Sequence, residues 1–199
     1  MKLHPIAYAF LLFALSCQNN EAGEADSVPA STGQNTSARQ VNNQDAEAIV
    51  EAIDSAIDSI QRVHRKTPIF RVKHNTYSEK DAIGILEAEG KQFRIAATFY
   101  PPEEEIMDIF YLLDDHIALH KRRHWRKGPN NPGATESSVY LNKKGVVKAI
   151  MRSVVLEPGH NPSGVLSADP YEMKADRDSL FRAVKEDFKK IQKLIEENK

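Results

Sequence analysis

The segment "EEEIMDIFYLLDDHIALHKRRHWR", residues 103–126, fits either one helix or two strands, and the predicted fold depends on which of them it forms. A helix would have acidic residues at its start and basic residues at its end, as the helix dipole prefers, and Gly128-Pro129 would terminate it. Two strands would form a hairpin that turns at Asp114-Asp115. The two interpretations predict different folds and different roles for the histidines of the segment.

An internal repeat favours the hairpin. "YLLDDHIALHKRR", residues 111–123, aligns without gaps on "YLNKKGVVKAIMR", residues 140–152. The second copy has Gly145 at its turn, and the first has His116, a residue type that tolerates a positive φ better than most. Both copies therefore predict the same two-stranded unit. The alignment matches Tyr111 with Tyr140, Leu112 with Leu141, Ile117 with Val146 and Arg123 with Arg152.

Charge pairing across the hairpin supports the same interpretation. With the turn at Asp114-Asp115, the acidic run of one strand lies opposite the basic run of the other. Each cross-strand pair of opposite charge stabilises a sheet by roughly 0.2–1 kcal/mol. The predicted pairs are Asp108 with Lys121, Glu105 with His124 and Glu103 with Arg126.

The two interpretations predict different metal-binding abilities for His116, His120 and His124. On a helix they lie near one face, where neighbouring histidines could share a zinc ion, so a periplasmic metal-binding protein is the alternative hypothesis. On an extended strand, at about 3.4 Å per residue, the outer two are roughly 27 Å apart, too far to share one ion. The hairpin therefore predicts no metal site and no cofactor.

Amphipathic helices are predicted at both ends of the domain. The first has a stripe of Ile49, Ile53, Ile57, Ile60 and Val63, and Thr67-Pro68 ends it. The last has a stripe of Leu180, Val184, Phe188, Ile191 and Ile195. Two starts are open for this last helix, one with Asp169 as N-cap and one near Asp176.

Between the helices the apolar residues alternate with period two, which indicates half-buried strands. "AIGILEA" and "KQFRIAATFY" predict a hairpin with Gly90 at its turn, and "SSVYLNKKGVVKAIMRSVVL" predicts another that turns at Asn142 to Gly145. The predicted fold class is α+β, an antiparallel β-meander of about six or seven strands with an N-terminal and a C-terminal helix packed on it.

The N-terminus "MKLHPIAYAFLLFALSCQNN" has the pattern of an export signal. Lys2 precedes an apolar stretch, Pro5 to Leu15, that is about half as long as a membrane-spanning helix of ~20 residues. "FALSC" resembles the lipobox of bacterial lipoproteins, although Ala14 stands where Leu is commoner. The resemblance implies that residues 1–16 are removed and that Cys17, the one cysteine of the chain, is lipidated.

The resemblance also implies a location and an organisation. Many Gram-negative lipoproteins with Asp after the lipidated cysteine stay on the inner membrane; Gln18 in that place implies the outer membrane, facing the periplasm or the cell surface. Residues 17–43 are polar and lack aromatic residues, so they are expected to form a disordered tether. Residues 44–199 then form a single α+β domain.

The basic run "KRRHWRK" is a candidate binding surface for an anionic glycan or an envelope protein, because an aromatic ring beside guanidinium groups suits stacking and anion contacts. The alternative is a solvated strand end neutralised by the glutamates of the partner strand. The candidate residues are Arg122, Arg123, Trp125, Arg126 and Lys127.

No catalytic motif is recognisable: the chain has no G-x-S-x-G elbow, P-loop, H-E-x-x-H or cysteine pair. Its 27 basic and 28 acidic residues give no bulk attraction to nucleic acid. The hairpins between two helices are similar to small outer-membrane lipoproteins of Gram-negative bacteria, a resemblance that implies no activity. We therefore expect a non-enzymatic envelope lipoprotein with a binding or structural role.

Overall fold

Eight strands form one antiparallel sheet in which spatial order follows sequence order, as expected where turn signals separate alternating segments. A computed structural model describes residues 35–64, 67, 69–88, 90–128, 132–157 and 162–198. The predicted fold class is confirmed. The strand count is higher because two short edge strands, Phe70–Lys73 and Tyr171–Glu172, complete the sheet. The elements are α1 (Asn35–Val63), β1 (Phe70–Lys73), β2 (Ala82–Ala88), β3 (Lys91–Phe99), β4 (Glu104–Leu113), β5 (His116–Arg126), β6 (Gly133–Asn142), β7 (Gly145–Val155), a 3-10 helix (Pro162–Ser167), β8 (Tyr171–Glu172) and α2 (Arg177–Glu197).

Residues 103–126 form the β4–β5 hairpin, so the hairpin interpretation is confirmed and the helix interpretation is wrong. The register agrees with the prediction only beside the turn, where Leu113 pairs with His116. Beyond Tyr111 it shifts by one residue, because the pairing passes over Ala118 in a β-bulge. The predicted charge pairs are therefore wrong by one position; the observed partners are Asp108 with Arg122, Glu105 with Trp125 and Glu104 with Arg126.

The predicted repeat is confirmed by its bulges. The β4–β5 and β6–β7 hairpins shift register at equivalent positions, Tyr111/Leu112 and Tyr140/Leu141, and the β2–β3 hairpin shifts at Leu86/Glu87. The expected positive φ at His116 is wrong, because Asp114 and Asp115 have φ values of 50° and 61° and form the turn themselves. The residues that the three registers pass over are Phe93, Ala118 and Val147.

Each face of the sheet packs against one helix and has its own apolar core. Phe110, in the α2 core, is fully buried, and such side chains each stabilise the fold by about 1.5–3 kcal/mol. The bulge residues all belong to the α1 core. The α2 core contains Val72, Ile83, Ile85, Ile95, Phe110, Val139, Leu141, Val184, Ile191 and Ile195; the α1 core contains Ile53, Ile57, Leu86, Phe93, Tyr111, Ala118, Leu119, Tyr140 and Val147.

The helix limits refine the predicted boundaries. α1 begins at Asn35, so the last part of the predicted tether, residues 35–43, is helical. Residues 1–34, which include the predicted signal peptide and Cys17, lie outside the described residues. α2 uses the second of its two predicted starts: the side chain of Asp176 accepts a hydrogen bond from Ser179 N at 2.8 Å. Within the described part of the chain, no helix is long and apolar enough to cross a membrane.

Candidate functional site

Two buried tyrosines at equivalent positions of the repeat join α1 to the sheet. The Tyr140 hydroxyl lies 3.1 and 3.2 Å from the two carboxylate oxygens of Asp54, to which it donates. Gln61 Nε2 donates to the Tyr111 hydroxyl at 3.1 Å. Asp54 and Gln61 are two turns apart on α1 and therefore point to the same side of the helix. Burial raises the pKa of Tyr140 and the nearby Asp54 carboxylate raises it further, so this hydroxyl stays protonated as a donor.

A cavity of about 360 Å³ opens beside these hydrogen bonds, between α1 and the sheet. We call it the cleft and define it by its lining. α1 contributes carboxylates and an amide, and the sheet contributes two cations and the tyrosines. The lining residues are Asp54, Ile57, Asp58, Gln61, Tyr111, Leu119, Lys121, Tyr140 and Arg152.

The charges of the cleft are only partly neutralised by the protein. Asp54 accepts from Tyr140, but among the described residues neither Asp58 nor Lys121 has a hydrogen-bond or ion-pair partner. The Nε atom of Arg152 is buried and likewise lacks a hydrogen-bond partner there. Carboxylate and cations thus line one cavity without pairing with each other.

A row of three charged residues adjoins the cleft on neighbouring strands. The register places Arg123 of β5, Glu136 of β6 and Arg152 of β7 side by side. Arg123 Nε donates to Glu136 Oε2 at 2.6 Å, and Arg152 Nη1 lies 3.6 Å from Glu136 Oε1. Two guanidinium groups around one carboxylate leave this row with a net positive charge. In the internal repeat Arg123 aligns with Arg152, and this match is the feature of the sequence that relates two members of the row.

The basic run predicted as one surface is divided between the two faces of the sheet, because successive side chains of a strand alternate. Arg123 and Trp125 lie on the α1 face with Lys121. Arg122 and Arg126 lie on the opposite face. Lys127 Nζ lies 3.1 Å from Glu105 Oε2 and 4.2 Å from the centroid of the Trp125 ring. The cleft contains Lys121 of the predicted basic run, but the sequence does not single out Asp54, Asp58, Tyr140 or Arg152 as site residues.

The histidines that motivated the metal hypothesis have other surroundings. His120 Nε2 lies 2.8 Å from Asp108 Oδ1, and its ring stacks on Phe110 at 4.4 Å. His124 Nε2 lies 3.2 Å from Glu104 Oε2 but is not aligned for a hydrogen bond. The helix that the hypothesis required is a strand, and the described residues contain no cluster of metal-ligand side chains.

A buried ion network on the α2 face contains Asp108, His120, Arg122 and Asp187. Arg122 donates to Asp108 from Nε at 2.7 Å and from Nη2 at 2.9 Å, and Nη2 also donates to Asp187 Oδ2 at 2.9 Å. Burial alone would raise the pKa of Asp108, but the bonds from His120 and Arg122 outweigh burial and lower it. Asp108 and His120 are only 3% and 4% exposed, so the centre of the network is buried, whereas the Arg122 side chain is 40% exposed. The bond from Arg122 to Asp187 links α2 to the sheet.

No family model, curated protein or solved structure matches this chain. The chemistry of the cleft is therefore the guide to function.

Proposed function

We propose that this chain is a lipid-anchored binding protein of the Gram-negative cell envelope, held on the outer membrane by acyl chains on Cys17. The lipobox-like "FALSC" and Gln18 support the anchor and its location. Several acyl chains anchor a protein stably without a membrane-spanning helix, because each buried methylene contributes about 0.8 kcal/mol. The binding role is carried by the cleft.

The observation that carries the binding role is the unneutralised positive charge on the sheet side of the cleft. Lys121 has no partner among the described residues, and Arg152 has a buried Nε without one. Buried or half-buried cations attract carboxylate and phosphate groups strongly, because charge-assisted hydrogen bonds are about twice as strong as neutral ones. A volume of about 360 Å³ is in the range of small-molecule sites.

The composition of the cleft favours binding over catalysis. Among the residues that the structure describes, its lining contains no serine, threonine, cysteine or histidine. The Tyr140 hydroxyl is engaged with Asp54, and the Tyr111 hydroxyl accepts from Gln61, so both serve to position α1. What remains is a set of fixed charges, which suits recognition of a charged solute.

The surface next to the cleft is suited to binding an anionic component of the cell envelope. The Arg123 side chain is 45% exposed, and Trp125 follows on the same face of β5. An aromatic ring beside guanidinium groups can stack on a sugar while the cations bind its carboxylate or phosphate. An anionic glycan is therefore the partner class that we propose for the surface of Arg123 and Trp125, which lies next to the cleft and outside its lining.

Calorimetric titration of the purified full-length protein with glucuronate and with glycerol 3-phosphate tests the binding role. Lys121→Met keeps the aliphatic stem and removes the charge, so it should weaken binding about tenfold, equivalent to about 1.4 kcal/mol. Lys91→Met is the matched control, because Lys91 is 66% exposed and does not line the cleft. Equal affinities of wild type and Lys121→Met would contradict the proposal.

The anchor has its own test. Cys17→Ser should move the protein from the membrane fraction to the soluble periplasmic fraction, because the thiol that accepts the lipid is gone. Mass spectrometry of the wild-type N-terminal peptide should show the acyl mass on Cys17. An unmodified Cys17, or membrane retention of Cys17→Ser, would contradict lipid anchoring and leave the test of the cleft unaffected.

A further inference from the structure

We propose that the ligand of the cleft is a small zwitterion, with an ammonium group that binds beside Asp58 and a carboxylate that binds beside Lys121 and Arg152. This inference rests on the proposed binding role of the cleft and names the ligand class. The chemistry is that of a short peptide with free termini.

The α1 side of the cleft supplies an unused negative charge. Asp54 and Asp58 are four residues apart and lie on neighbouring turns of one helix face. The two Asp54 oxygens accept from the Tyr140 hydroxyl, so Asp54 serves to hold the helix. Asp58 lines the same cavity and has no partner among the described residues. An ammonium group of a ligand would neutralise it.

The protein's own cations do not neutralise Asp58. Lys121 lines the same cavity without forming an ion pair with Asp58. Arg152 is turned toward Glu136, with Nη1 3.6 Å from Oε1, and its Nε remains without a hydrogen-bond partner in the described structure. Opposite charges therefore line one cavity without pairing with each other. A solute with an ammonium group and a carboxylate can pair with Asp58 and with the two cations at once. A simple anion pairs only with the cations and is repelled by the nearby Asp58.

The remaining lining fits the body of such a solute. Ile57 and Leu119 are 5% and 1% exposed and give the cavity an apolar portion. The Gln61 amide and the tyrosines add polar groups at its border. A volume of about 360 Å³ accommodates a dipeptide, with its side chain against the two aliphatic residues.

The test is a calorimetric titration of the full-length protein with three probes: L-alanyl-L-leucine, its N-acetyl derivative and its C-terminal amide. The free dipeptide should bind about tenfold more tightly than either derivative. In Asp58→Asn the dipeptide should lose its tenfold advantage over the N-acetyl form. The affinity of the N-acetyl form itself should not fall, because the variant removes a like charge beside its carboxylate. Glu51→Gln is the matched control, because Glu51 is an exposed carboxylate of α1 outside the cleft, and circular dichroism checks that both variants are folded.

The outcomes separate this inference from the binding role itself. If the N-acetyl form binds as tightly as the free dipeptide, or if the dipeptide does not bind while glucuronate does, the zwitterion inference is wrong and the anion-binding role remains. If neither the peptides nor the simple anions bind, both are wrong. If Glu51→Gln lowers the affinity for the dipeptide as much as Asp58→Asn does, the assignment of the ammonium site to Asp58 is wrong.

Discussion

Charged side chains are paired to different extents on the two faces of the sheet. On the α2 face, Asp108, His120 and Arg122 are packed beneath α2, and Arg122 reaches Asp187 of that helix. On the α1 face, Lys121 and Asp58 line an open cleft and are not paired with each other. The network on the α2 face is satisfied internally. The α1 face has its own Arg123–Glu136 ion pair but leaves Lys121 and Asp58 to solvent or to a ligand.

The same strand supplies both faces. Along β5, Lys121 and Arg123 point toward α1, whereas His120 and Arg122 point toward α2. A buried charge must be paired because its desolvation costs several kcal/mol, whereas a half-exposed charge keeps part of its hydration. Paired charge on the α2 side of the sheet therefore links a helix to the strands, and the charge on the α1 side is the part for which we propose a role in recognition.

The largest expected effect comes from breaking the network on the α2 face. Asp108→Asn removes the carboxylate that both His120 and Arg122 contact, and loss of one partner of a buried pair costs about 3–5 kcal/mol. Urea denaturation should show a loss of that size in the free energy of unfolding. Asp187→Asn is the control, because Arg122 keeps its bonds to Asp108 in that variant, so the loss should be smaller. A loss below about 1 kcal/mol for Asp108→Asn would contradict the structural role of the network.

The pH dependence of stability checks the same network without a mutation. Because the folded state lowers the pKa of Asp108, its stabilisation is present above the usual aspartate pKa of about 3.9 and is lost as pH falls through the lower folded value. Wild-type urea midpoints should therefore decline below about pH 4. Asp108→Asn should decline less steeply, because it lacks that titrating group.

Most of the fold could be predicted because it follows local patterns. Period-two alternation and the repeat identified the hairpins, and apolar stripes identified both helices. The register could not be predicted from the alternation of apolar and polar residues. A regular alternation pairs each residue of one strand with one residue of the next, whereas the bulge inserts an extra, unpaired residue. The bulge of β5 is visible in the packing, because the adjacent residues Ala118 and Leu119 both belong to the α1 core, which a strand permits only at a bulge.

The cleft could not be predicted because it depends on contacts between distant segments. Asp54 and Tyr140 are separated by 86 residues, and on the sequence Asp54 and Asp58 belong to the polar side of an amphipathic helix. The basic run is contiguous in the sequence and therefore predicts one surface, whereas strand alternation places neighbouring side chains on opposite faces. Only the match of Arg123 with Arg152 in the repeat linked two residues that the structure places in one row.

A smaller effect is expected on the α1 face, where Tyr140→Phe removes the hydroxyl that holds Asp54. Hydrogen bonds to charged groups contribute about 1.5–3 kcal/mol, and Asp54 can regain water because it is only partly buried, so we expect a loss of about 1.5 kcal/mol in urea denaturation. Tyr111→Phe is the matched control at the equivalent position of the repeat. Its partner Gln61 is neutral, so the loss should be nearer 1 kcal/mol. If Tyr140→Phe cost as much as Asp108→Asn, α1 would be held as tightly as α2, and the contrast between a closed structural face and an open binding face would be wrong.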